Sequence, residues 1–238
     1  MHVELNIQHI STYLLKGKKA DNPKEFHRIY DLAFKAWHET WEKTYQEDFH
    51  STKRLNSDTF TRQDDVLALF FQGRCFAVCI FTHLNMHDEQ AQLDSYFNCW
   101  PPSAIETLCS KGPNIIACTQ YTVIEDFRVD REAPLGQNRW RILINGMIAR
   151  YFLSTGKDAM SAITRVTKGI NRLSYRSGGI SLASGLLYEA GADKAEVDLV
   201  AFHQDTAVEF FAKNPYAHLF EELWQMRNGA PIKVARAA

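Results

Sequence analysis

The segment IIACTQYTVIEDFRV (Ile115–Val129) leads, past a glycine at the turn, into GQNRWRILINGMIARYFLS (Gly136–Ser154). The first part is rich in β-branched and aromatic residues and reads as one long strand. In the second part the period changes. Trp140, Leu143, Ile144, Met147, Ile148, Tyr151 and Phe152 recur at three- and four-residue steps and so line one face of an amphipathic helix. Gly156 stands where that helix should stop, at the left-handed position glycine tolerates best. Ala159–Val166 supplies a second strand, and a strand–helix–strand unit implies a parallel pair.

Downstream, Thr167–Ser177 reads as a second helix closed by Gly178 and Gly179. Strand-like runs follow at Ser184–Tyr188 and Val197–Phe202, then a helical C-terminus. Upstream, VLALFF (Val66–Phe71) and CFAVCIF (Cys75–Phe81) flank Gln72-Gly73-Arg74, which predicts a β-hairpin. Leu84–Asn114 is a long excursion with a short helix near Ala104–Cys109. Thr59–Asp65 reads as polar connection. Pro23–Tyr45 is helical by its spacing of Phe26, Tyr30, Phe34, Trp37 and Trp41, with Asn22 before the proline as a start signal. The expected architecture is a mixed-sheet α/β domain spanning 1–238, with a helical extension over 1–60, a core over 65–202 and a helical tail over 203–238.

Composition narrows the function classes. The 238 residues are 45% hydrophobic and 23% charged, the usage of a globular chain. A net charge of −1 from 27 basic and 28 acidic residues excludes the basic excess of a dedicated nucleic-acid binder. No apolar run reaches the roughly 20 residues of a membrane-spanning helix, and the first residues do not read as a secretory signal. Five cysteines at unpatterned spacings read as reduced thiols of a cytoplasmic protein. His83, His87 and Asp88 lack a further ligand at metal spacing, so no metal is expected.

The order of elements resembles the GNAT N-acyltransferase superfamily over about Asp65–Phe202. The resemblance is carried by TVIEDFRVD (Thr122–Asp130) with Gly136 and its helix, and by AITRV (Ala162–Val166) with the helix bearing Tyr175 and Gly178-Gly179. It implies a mostly antiparallel sheet whose central parallel strands splay, flanked by helices, and transfer of an acyl group from a thioester to an amine. Acyl-coenzyme A or an acyl-phosphopantetheine would be the donor, the latter on an acyl carrier protein, and a small amino-acid-like amine the acceptor. The chain looks nearest to the N-acyl amino acid synthases and acyl-homoserine-lactone synthases. Lactone synthases carry Ser-Arg-Phe on the long strand, with a glutamate three residues before the arginine. Asp126 and Val123 stand at those two places here. A catalytically silent module of the same fold is the alternative from another class.

The resemblance points to Phe127, Arg128, Val129, Gly136, Gln137, Asn138, Arg139 and Arg141 as the donor-binding stretch. A helix beginning near Gln137 would offer unpaired N–H groups to a phosphate; solvated arginines are the plain alternative. Glu125 is the expected base, its pKa raised by burial beside the splay, or else a strand-end carboxylate paired with Arg128 or Arg131. Tyr175 is the expected acid for the thiolate, or else a core-edge tyrosine. Arg28, Phe34, Trp37 and His83 are the expected substrate-binding residues, the aromatics doubling as core. Lys168, Arg172 and Arg176, spaced by four, form a basic stripe that would dock an acidic carrier protein or simply face solvent.

Overall fold

The computed structural model describes residues 9–48, 55–128, 139–190 and 193–229. Val129, Gly136, Gln137 and Asn138 lie outside the described residues, as does the side chain of Arg139.

The apolar runs are strands because they are covered on both faces. In β2 (Asp65–Phe71) and β3 (Arg74–Asn85) alternate residues point to opposite sides, and almost all are buried. Val66, Ala68, Phe70, Val78 and Ile80 meet α1 (His27–Asp48) and α2 (Asp58–Thr61), whereas Leu67, Leu69, Cys79 and Phe81 meet α5 (Arg139–Thr155). The hairpin turn has positive φ at both Gln72 and Gly73, the geometry that matches strand twist.

Seven strands form one sheet in the order β1-β2-β3-β4-β5-β7-β6. The remaining strands are β1 (Ile10–Lys16), β4 (Asn114–Val123), β5 (Ala159–Arg165), β6 (Ile180–Ala190) and β7 (Asp193–His203). Every pairing is antiparallel except β4 with β5. The excursion after β3 folds into α3 (Glu89–Gln92) and α4 (Pro102–Leu108), and its Phe97, Trp100, Ala104 and Leu108 pack on Ile115, Ala159 and Leu199. Helices α7 (Gln204–Lys213) and α8 (Ala217–Gln225) complete the layer with α5, and α6 (Ile170–Arg176) follows β5.

The N-terminal region is not wholly helical: β1 pairs along its length with β2. The long strand ends at Val123, six residues early. Phe127 turns back through a short 3-10 helix (Glu125–Phe127) to stack on Phe76 at 5.1 Å, burying its ring instead of extending the sheet. Helix α6 starts at Ile170 because Gly169 holds φ +68°, a left-handed conformation that breaks the helix pattern there. Gly156, at φ +65°, ends α5 as its place in the sequence requires.

Candidate active site

β4 and β5 pair over three residues only: Ile115 with Ala159, Ile116 with Met160, Ala117 with Ser161. Both strands continue beyond that point, β4 to Val123 and β5 to Arg165, but apart. The cause lies on the other edge of β4. Its register with β3 slips between Ile80–Thr119 and Val78–Thr122, so Gln120 and Tyr121 stand opposite the single residue Cys79. Such a bulge bends its strand and raises the local twist. Gln120 takes φ +49°, a strained conformation for a side chain of its size, which persists only where neighbours hold it.

Helix α1 supplies those neighbours. Trp37 is fully buried, and its indole N–H donates to Gln120 Oε1. One turn on, the Trp41 indole donates to Thr122 Oγ1 at 2.9 Å, and that hydroxyl donates to the Gln120 carbonyl at 2.7 Å. The bend in β4 is thus tied at two points to the helix beneath it, and the β5-facing edge of β4 from Cys118 onward has no strand partner among the described residues.

The opening runs through the sheet. On the α5 side lies a cavity of about 70 Å³ lined by Ile148, Phe152, Met160, Ala162, Ser174 and other mostly apolar groups. On the α1 side lies one of about 460 Å³, where Trp41, Tyr45, Tyr96 and Tyr188 mix with Asp58 and Arg62. Cys118, Gln120 and Ile163 line both. At the open end a third cavity, about 170 Å³, is ringed by Arg128, Arg141, Arg165 and Lys168, with Gln120 and Tyr121 at its inner wall. An apolar slot with four cations at its mouth suits a flexible arm that ends in phosphates.

Solved structures share this fold. FeeM, an N-acyl amino acid synthase from uncultured soil microbes, superposes with a TM-score of 0.55 at 14% identity, covering 88% of this chain and 98% of its own. BjaI, a coenzyme A-dependent acyl-homoserine lactone synthase, gives 0.55 at 12% identity over 86% and 89%. LasI, an acyl-homoserine lactone synthase, gives 0.51 at 12% identity over 82% and 90%. The fold is GNAT. No protein-family model matches the sequence, and neither does any curated protein.

Within this fold some of the expected residues stand at the slot and others stand elsewhere. Arg128 and Arg141 do reach the mouth of the slot, and Arg128 Nε also donates to the Val123 carbonyl at 2.8 Å. Phe127 is core. Glu125 is not a buried strand residue: it sits on the 3-10 turn with its side chain 71% exposed and takes a 2.5 Å ion pair from Lys43. The Lys43 hydrogen bond and charge pull its pKa down, the reverse of what burial was expected to do. Tyr175 does not aim at the slot cavity. Its hydroxyl donates to Asp198 Oδ2 at 2.6 Å, and α6 turns Ser174 and Ser177 to the cavity in its place. Burial raises the Tyr175 pKa, and the Asp198 carboxylate raises it further.

The substrate-binding expectations also shift. Trp37 positions Gln120, and Phe34 packs edge-on against Phe60 at 5.3 Å. Arg28 is exposed on the first turn of α1. His83 belongs to a polar cluster between β1, β2, β3 and α5. Its Nε2 lies 2.8 Å from the Tyr151 hydroxyl, which donates to Asp65 Oδ2 at 2.9 Å, and Lys16 Nζ donates to Asp65 Oδ1 at 2.6 Å. Burial pushes the Asp65 pKa upward, but the hydrogen bonds from His83, Lys16 and Tyr151 prevail and hold it at about 2. His87 is exposed on the following turn, away from that cluster's bonding. Arg172 and Arg176 are exposed on α6, while Lys168 sits in the turn before it and lines the mouth.

Sequence reasoning missed Gln120 and Tyr121. Both lie in the segment Ile115–Val129, but a bulge depends on register with a partner, which one sequence does not display.

Proposed function

We propose that this chain is an N-acyltransferase that moves an acyl group from an acyl thioester to the amine of a small amino-acid-like acceptor. The observation that carries the reading is the sheet opened between β4 and β5, with apolar walls inside and four cations outside. A pantetheine arm would lie along the unpaired edge of β4 as a substitute strand, its amides bonding to the freed backbone groups. The thioester then reaches the bulge, where backbone N–H groups released from the ladder meet the oxygen as it gains charge. Arg128, Arg141, Arg165 and Lys168 would hold the donor's phosphates.

The larger cavity on the α1 side receives the acceptor. Aromatic walls take its body, and Arg62 suits a carboxylate. The carboxylates lining that side are Asp58 and Asp94, so removal of the amine proton falls to them or to solvent rather than to Glu125. Coenzyme A and a carrier protein both present the same arm. The exposed Arg172 and Arg176 beside Lys168 would add contacts for an acidic carrier.

The test is thiol release from a panel of acyl-coenzyme A and acyl-carrier donors, with and without amino acids, and mass spectrometry of the products. Amine-dependent release yielding an N-acyl amino acid supports the reading. Tight thioester binding with no release makes the chain a silent binding module. An acyl-homoserine lactone formed from S-adenosylmethionine supports the second reading, which the equal superposition on BjaI keeps alive. Replacing Arg172 and Arg176 by Ala should lower carrier-donor use alone; equal use of both donors would leave them as surface.

A further inference from the structure

Two tyrosines near the slot differ in their hydrogen bonding. Tyr175 has given its hydroxyl proton to a hydrogen bond with Asp198, whose own oxygens also accept from Asn171 Nδ2 at 2.9 Å and the Gly185 N–H at 3.0 Å. Pulling Tyr175 away would take one of these donors from Asp198. Tyr121 lines both the apolar cavity and the mouth, and its hydroxyl oxygen is enclosed with no hydrogen-bond partner among the described residues. A buried phenol left unpaired is unfavourable, and native interiors almost always satisfy such groups. Because Tyr121 lines the cavity, an occupant of the slot would supply the missing partner.

The reacting sulfur is the atom of the donor that most needs a proton there. Tyr121 sits at the bulge where β4 leaves β5, next to the residue whose strained backbone marks the opening. Burial keeps its phenol protonated, while the Arg141 charge works the other way and eases formation of a phenolate. We propose, resting on the acyltransferase reading above, that Tyr121 is the catalytic proton donor to the departing thiolate, and that Tyr175 is a structural tie of α6 to β7.

The step balances without a co-reactant. The amine nitrogen bonds to the thioester carbon, and the carbonyl pair moves to oxygen. As that pair returns, the carbon–sulfur bond breaks, its electrons go to sulfur, and sulfur takes the Tyr121 proton. The nitrogen, cationic after attack, loses one proton, which restores the phenol through solvent. The products are an amide and a free thiol.

Tyr121→Phe tests this with two donors of one acyl group, an alkyl thioester of pantetheine and an aryl thioester whose thiolate leaves unprotonated. With the alkyl donor kcat should fall about 100-fold while KM stays within about twofold. With the aryl donor the variant should approach wild type. Equal losses on both donors, or none on either, overturn the proposal, as does a leaving-group-dependent loss in Tyr175→Phe. A wild-type chain that releases no thiol from any donor overturns acyl transfer itself, a separable result. If Tyr121→Phe does not fold, 3-fluorotyrosine at position 121 keeps the ring's shape and lowers its pKa. The basic limb of the kcat profile then moves to lower pH if Tyr121 is the donor and stays put if it is not.

Discussion

The β2–β3 ladder and the β4–β5 pair are built from similarly apolar sequence, yet one closes along its length and the other opens after three residues. In the closed half, buried polar groups satisfy one another: His83, Tyr151, Lys16 and Asp65 form a complete set of hydrogen bonds linking three strands to α5. In the open half, Gln120 is strained and the Tyr121 hydroxyl is unpaired. A completed polar network fixes architecture, whereas an unpaired hydroxyl facing a cavity leaves a bond for a ligand to make.

The sharpest way to break the comparison is to fill the opening. Ala162→Phe places a ring in the cavity of about 70 Å³. It should cost acyl-thioester turnover about 100-fold or more, equivalent to about 3 kcal/mol at the transition state, while the far-ultraviolet circular dichroism spectrum is unchanged. A variant with normal turnover would move the reaction elsewhere.

The closed half responds through stability instead. Asp65 is held at about 2 against an ordinary 3.8, so its ionised form favours the fold. That contribution, about 2 kcal/mol, is present above pH ~4 and drains away as pH falls through 3.8 toward about 2. Asp65→Asn should lower the unfolding free energy at pH 7, read from urea denaturation, by about that amount and flatten the acid limb of the stability curve. An unchanged acid limb would mean the cluster does not bind the proton as described.

Trp37→Phe joins the two halves. It leaves Gln120 Oε1 without its donor, so stability should drop by about 1–2 kcal/mol and turnover by about tenfold, because the bend in β4 loosens. Loss of stability with full turnover would show that the bulge holds its shape unaided. Glu125→Gln, at the exposed turn, should change turnover by less than about twofold; a large loss would return the carboxylate to the reaction.

The strand–helix–strand centre was legible because its burial is periodic: all seven residues assigned to one face of α5 are buried. β1 was not legible, since ISTYLLK mixes serine, threonine and lysine with apolar residues and becomes a strand only by pairing with β2, about fifty residues on. Arg128 and Arg141 could be placed from chain order, because the end of β4 and the start of α5 must meet at the sheet's edge. Glu125 could not, because the choice between strand and turn was made by Phe127 finding Phe76. Tyr175 carries the right residue type at the right distance from a glycine, but its rotamer was decided by Asp198 on a strand further along the chain.

If the gap between β4 and β5 holds the thioester, a crystal structure with a non-transferable thioether analogue of an acyl-pantetheine donor should show it there. The arm should lie between Cys118–Val123 and Ala162–Arg165, with its sulfur beside Tyr121. Strands paired past Ala117 and Ser161, or the analogue bound at another surface, would contradict this placement.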